Sequence, residues 1–417
     1  MPPTLPSVLE ATLILTGQFN STLSTPLPPS ESQSTTNNHP APLPLLSTSA
    51  TALKAQTTKL SLLAINTPFT PSALIAVLTT VNESILPSLV TAALLAIPAE
   101  YTRAFHAEAK LLVKDALREF GSLVGVVKVI AGGAGSGDEG KGEGKATVTV
   151  TEQQKGEVMT CTGRVWKACE QLVSFAEEGV VGFVAGKARQ YLELVRDGIR
   201  ELEEWDPEED GDDEDDPFWD DGDELGGKGD EGTDKDKGKG KADDESNDED
   251  TTIANLQSEK SHLLRLLNPI SQIYPAIISH RLKNKTFSSS TSKDQRKHQH
   301  GLPQTQISQL DRLLPHLREL PNLVDEAAGS LYDHDIDNAV MYTMQVRKCA
   351  FAAAEAARLP LIDNSHGNGD NMPGNEGGGE KGEKKVAGEE DKFPKWVDTW
   401  MRVIEEIAKS RVNNAGS

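Results

Sequence analysis

The sequence predicts an all-α protein built as two helical bundles joined by an acidic connector. Three observations carry this reading. Apolar residues recur at steps of three and four, as in Val184, Ala188, Tyr191, Val195 and Leu202, which places them on one helix face turned to a core. Strand-like alternation is confined to the short "ATVTVT" at 146–151. The net charge of −22 is unevenly spread, because "EEWDPEEDGDDEDDPFWDDGDE" (203–224) holds fifteen carboxylates and neither Lys nor Arg. The acidity belongs to a segment and not to a fold.

At 417 residues the chain exceeds one ordinary core, so two domains are expected. A first apolar stripe runs through Val8, Leu15 and Phe19. Helices are expected near 47–65, near 71–97 with a break at Pro87, near 98–130 and near 151–177. Pro71 and Pro98 suit the first turn of a helix, where the missing N–H costs nothing. Gly179 is placed to end the helix that carries Trp166 and Cys169. The first bundle spans 1–205. Residues 206–250 lack apolar periodicity and cannot bury enough surface to offset their ordering entropy, so they read as a disordered linker.

Helical signal resumes at Thr251 and runs to about 283, then near 304–332, 333–359 and 393–410. These form a second bundle over 251–410, with low-complexity insertions at 283–303 and 363–391. Leu256, Leu263, Ile270 and Ile277 recur every seven residues, but Pro269 and Pro275 lie inside that run. Proline removes a helix hydrogen bond, so a kinked bundle helix is expected here and not a long coiled coil. No basic helix precedes it to grip DNA.

The composition excludes several classes. A uniformly basic surface for phosphates is absent, which argues against direct nucleic-acid binding. Cys161, Cys169 and Cys349 form no CxxC pair, so neither a disulfide framework nor a zinc knuckle is expected. The N-terminal "MPPTLPSVLEATLILTGQF" has no basic start and does not read as a signal peptide. In the apolar segment 72–98, Asn82, Glu83 and Pro87 leave neither half long enough for a membrane span.

Candidate chemistry is thin. "GSGDEGKG" (135–142) resembles a phosphate loop, but Gly142 stands where Ser or Thr would hold magnesium. Asp206, Glu208 and Asp210 begin like a calcium loop that fails at Pro217, where a bidentate Glu belongs. "DHDIDN" (333–338) fails in the same way, and a helix N-terminus explains Asp333 and Asp335 better. No catalytic motif is present; His106 and His316 read as surface or core histidines. Neither a metal, a cofactor nor an enzymatic activity is expected. The basic run Arg281, Lys283, Lys285, Lys293, Arg296 and Lys297 fits either a weak bipartite nuclear signal or a solvated loop.

The run "GRVWKACEQLVSFAEEGVVGFVAGKARQYLELVRDGIRELEEW" followed by an acid-rich linker resembles the cyclin-D-binding protein family, also called the GCIP or Maid family. "LDRLLPHLRELPNLVDEAAGSLYDHDIDNAVMYTMQVRKCAFAAAEAA" and "WVDTWMRVIEEI" are similar to that family's C-terminal helices, and the insertions resemble an elaborated fungal member. The resemblance implies talin- and vinculin-like bundles in a non-enzymatic protein of cytoplasm and nucleus. It also implies binding of D-type cyclins and helix-loop-helix regulators, with a negative effect on cell-cycle progression.

The expected function is therefore that of an interaction protein. Within the acid, Phe218 and Trp219 are the candidate docking anchors, with Asp220 and Asp221 on the rim. "DPFW" (216–219) also resembles the short DPF-type peptides that endocytic adaptors recognise. The alternative is an acidic, chaperone-like binder of basic proteins such as histones that uses 206–224. Ser246, with Glu249 three residues on, is a candidate for acid-directed phosphorylation.

Overall fold

A computed structural model describes residues 3–25, 40–66, 69–133, 150–208, 245–283, 302–361 and 391–414, which are helical almost throughout and contain no strand. Two residues of "ATVTVT", Val150 and Thr151, fall among them and are not in a strand. Contacts divide the chain into two compact units, Met1–Ala185 with Asn284–Asp311 and Gly186–Lys283 with Arg312–Ser417. Composition marks a boundary at Trp205, whereas the contacts divide the chain at Ala185, inside a helix. Most of the connector 206–250 and of the insertions 283–303 and 363–391 lies outside the described residues.

The first unit contains α1 (Leu5–Ser24), α2 (Pro42–Ile65), α3 (Pro71–Thr80), α4 (Leu86–Leu95), α5 (Pro98–Tyr101), α6 (Arg103–Gly133) and the first part of α7 (Glu152–Glu204). α1 packs on α6 and α3, α2 on α4, and α4 on α6. Of the expected stripe on α1 only Val8 is buried, while Leu15 and Phe19 are half-buried. The buried face is completed by Thr12 and Thr16, whose hydroxyls donate to the carbonyls of Val8 and Leu13 at 2.8 and 2.9 Å. Threonines satisfied on their own helix serve as core residues, and a count of apolar positions passes over them.

Pro71 and Pro98 each open a helix, as expected. At Pro87 the structure corrects the expectation of a break. Pro87 has no N–H and its ring crowds the carbonyl four residues back. The chain widens into a π-turn over Val81–Ile85, with the Leu86 N–H donating to the Val81 carbonyl, and α4 follows at once. The helical run Pro71–Leu95 is thus continuous, and among the described residues it is long and apolar enough to cross a membrane. A core helix passes the same test, and Leu74, Leu78, Val81, Leu86 and Leu89 are fully buried in the unit.

α6 opens on Thr102, whose hydroxyl accepts the Phe105 N–H at 3.2 Å. Gly179 departs from the helix within α7, with φ 62° and ψ −168°, a conformation that favours glycine. The departure lies between Phe175 and Phe183, and both rings meet Phe105, at 4.2 Å stacked and 5.6 Å edge-on. The change of direction at Gly179 lets two successive helix segments share one aromatic core.

The second unit contains the rest of α7, α8 (Glu245–Ser271), α9 (Ile273–Ile277), a π-turn over Ile278–Leu282, most of α10 (Gln304–Tyr332), α11 (Ile336–Ala356) and α12 (Phe393–Asn414). Leu256, Leu263, Ile270 and Ile277 are all buried, on a helical path interrupted at Gln272 between Pro269 and Pro275. The kinked bundle helix explains the seven-residue spacing. The Tyr274 hydroxyl donates to the Leu317 carbonyl at 2.7 Å. Gly198 on α7 allows close approach of α10, since a Cβ there would lie 3.2 Å from Val324 Cγ1. Asp335 caps α11 by accepting the Asn338 N–H at 3.0 Å, as "DHDIDN" suggested.

Arg281 ties three elements of this unit together. Its guanidinium donates to the Ala357 and Arg358 carbonyls at the end of α11, both at 2.7 Å, and to Asp391 ahead of α12 at 2.9 and 3.2 Å. It also lies 4.3 Å from the Phe393 ring centre. With 3% of its side chain exposed, Arg281 is not part of a solvated basic run.

Candidate partner-docking surfaces

Phe218, Trp219, Asp220 and Asp221 lie outside the described residues, as do the glycine-rich loop 135–142 and most of the calcium-like stretch. The start of the acidic stretch is described and is seated on α8. Lys260 Nζ donates to the Glu203 carbonyl at 3.1 Å and to the Trp205 carbonyl, and Gln257 donates to Glu208 at 2.9 Å. Trp205 packs edge-on against Tyr332 at 5.0 Å. Ser246 is the second residue of α8, which begins at Glu245, earlier than the periodicity indicated.

The groups weighed for catalysis are occupied by the fold. His106 is buried, with Nδ1 2.9 Å from the Ala96 carbonyl, and burial chiefly lowers its pKa. All three cysteines are buried and free. Burial pushes the Cys169 thiol up to about 12 and the Cys349 thiol up to about 11, which keeps both protonated and unreactive. Among the described residues no group of three or more His, Cys, Asp or Glu side chains is placed to hold a metal ion.

Two surfaces remain that suit protein recognition. The first is the seam between α2 and α7 in the first unit. The helices run antiparallel there, since Ser61 meets Thr162, the Trp166 Nε1–H donates to Thr58 at 3.2 Å, and Lys54 donates to Glu170 at 2.6 Å. Lys54 Nζ also lies 5.9 Å from the Trp166 ring centre. Along this edge Leu62 is 51% exposed, Met159 65% and Trp166 38%. Met159, Trp166 and Val173 are seven residues apart and so share one side of α7. A cleft of about 360 Å³ continues the seam past Lys54, Cys169, Glu170 and Val173. An exposed apolar ledge of this kind suits the apolar face of a partner helix.

The second surface is a groove of about 410 Å³ in the second unit, between the α8–α9 region and α12. Pro269, Pro275, Trp396, Trp400 and Val403 line it, with His280 at one end. Phe393, Trp396 and Trp400 stack in sequence with centroids 5.7 Å apart, and Phe351 meets Trp400 edge-on at 5.8 Å. The Trp400 Nε1–H is used internally, donating to the Pro269 carbonyl at 2.7 Å. The sequence reading missed both surfaces. The seven-residue spacing on α7 was the available signal for the first, and the paired prolines facing "WVDTW" for the second.

Residues 45–208 match the family model described as Grap2 and cyclin-D-interacting, N-terminal. No curated protein matches the chain. The matched region begins within α2 and runs past the end of α7, so it holds the whole α2–α7 seam, while the Trp396–Trp400 groove lies beyond it. The stretch "GRVWKACEQLVSF", which opens the first of the runs that carry the family resemblance, lies on the α7 side of that seam. Over residues 45–208, about two fifths of its length, the chain is similar to the N-terminal domain of the Grap2 and cyclin-D-interacting family.

Proposed function

We propose that this protein is a non-enzymatic regulator of cell-cycle progression, acting in cytoplasm and nucleus by binding a D-type cyclin or a helix-loop-helix regulator. The observation that carries the reading is the exposed apolar seam of Leu62, Met159 and Trp166 inside the family-matched region. A partner helix laid along it would cover these side chains, with the Lys54–Glu170 pair marking one end. The family's description makes a D-type cyclin the first partner to try.

The test is a titration of purified D-type cyclin into the full chain by calorimetry. Met159→Glu places a charge on the ledge at the end away from the Lys54–Glu170 pair, where a buried apolar contact can be worth about 2 kcal/mol, so binding is expected to weaken about thirtyfold. Val129→Glu, at an equally exposed position on α6 (66%), is expected to bind as the wild type does. Absence of binding at tens of micromolar, or equal loss in both variants, would refute the assignment.

A further inference from the structure

The Trp396–Trp400 groove has an apolar floor and a basic rim. From Lys260 to Lys283 the chain contains no carboxylate, and Arg265, His280 and Lys283 are exposed along it. Across the groove α12 and its approach present Lys392, Lys395 and Arg402. Of the carboxylates on this side, Asp391 is paired with Arg281 at 2.9 Å and Asp398 with Arg358 at 2.8 Å, while Glu405 and Glu406 are exposed on α12 just past Val403. Aromatic rings set among carboxylates would complement such a groove in both shape and charge.

The chain carries that peptide itself, in "DPFWDD" at 216–221. Both flanks of its segment return to α8. Glu208 is held by Gln257, twelve residues before Pro269, a distance of about 18 Å along a helix. Ten residues separate Glu208 from Phe218, and an extended chain of that length spans about 33 Å. From Trp219 the remaining residues to Glu245 span up to about 86 Å, against about 36 Å along α8 from Glu245 to Pro269. The peptide reaches the groove with slack on both sides.

We propose that residues 216–221 dock in cis in this groove, with Phe218 and Trp219 against the Trp396 and Trp400 indoles and Asp220 and Asp221 toward the basic rim. The acidic stretch is then more than a spacer. It occupies a docking surface of its own chain, and any partner of the groove must displace it. A tether of this length holds the peptide at an effective concentration on the order of 1 mM, so an intrinsic Kd of about 100 µM suffices to keep the groove mostly filled.

The test uses the full chain and a fluorescein-labelled peptide of residues 203–224, followed by fluorescence anisotropy. The Phe218→Ala/Trp219→Ala double variant vacates the groove and is expected to bind the peptide about tenfold more tightly than the wild type. Adding Val403→Asp, at a position 42% exposed, to the double variant is expected to abolish that binding. Raising the salt is expected to weaken it. Equal peptide affinity in wild type and double variant, no binding by the double variant, or undiminished binding with Val403→Asp would overturn the proposal. So would a concentration-dependent dimer of the wild type that the double variant loses, since that is docking in trans.

Discussion

Replacing Gly179 by Ala tests how the first unit closes its aromatic core. At φ 62° and ψ −168° the residue lies in a region that side-chain-bearing residues rarely adopt. A Cβ there would meet only Leu43 Cδ1, at 4.0 Å, an ordinary contact, so crowding contributes nothing and the cost is that of the backbone. Such strain costs about 1–3 kcal/mol. For a unit of this size each kcal/mol moves the melting temperature by about 2–4 °C, so a mid-range cost lowers Tm by about 4–8 °C. The same substitution at Gly163, helical, exposed and with nothing within 4 Å, adds helix propensity and is expected to stabilise by up to about 1 kcal/mol. Circular dichroism at 222 nm during heating reads both variants. A Gly179→Ala protein as stable as wild type, or Gly163→Ala destabilised to the same extent, would refute the argument that backbone conformation at Gly179 directs the Phe175–Phe105–Phe183 cluster.

Further expectations concern the second unit. Arg281→Met leaves the Ala357 and Arg358 carbonyls and Asp391 without their donor, a loss of about 3–5 kcal/mol in denaturant unfolding, and Arg281→Lys restores only part of it. Burial, followed by the charges of Glu201 and Glu326, raises the Asp325 carboxyl above its usual range. A raised folded pKa means that the group favours folding below its unfolded pKa and withdraws that contribution as pH rises through the folded value. Asp325→Asn is therefore expected to raise Tm at pH 7, with the difference closing by about pH 3, and a difference that persisted at pH 3 would contradict this. Phosphate on Ser246 enters the first turn of α8, at the positive end of the helix dipole, so Ser246→Asp is expected to preserve or slightly raise the dichroism at 222 nm.

What was legible in the sequence was what local chemistry decides. Pro71 and Pro98 open helices because their missing N–H groups fall where none is needed, Asp335 caps α11, and Gly179 marks the departure in α7. Pro87 resembles these in sequence, but the alternative to a break, a π-turn that keeps the helix running, depends on the packing around it. Arg281 looked like one of six exposed cations; only the pairing of its π-turn with the end of α11 buries it. The two docking surfaces were hidden for the same reason. Trp166 stands at an exposed edge because Thr58 meets its indole, and the groove joins Pro269 and Pro275 to Trp396 and Trp400 across more than a hundred residues. Side chains brought together by tertiary packing leave no mark on local periodicity.

The α2–α7 seam is the surface proposed to meet the cyclin partner. Hydrogen–deuterium exchange of the full chain, with and without saturating D-type cyclin, reads that surface directly. The account predicts slowed exchange in peptides covering 51–66 and 156–174 and unchanged exchange in α6 around Val129. Binding with no protection over those two segments, or protection confined to the second unit, would contradict it.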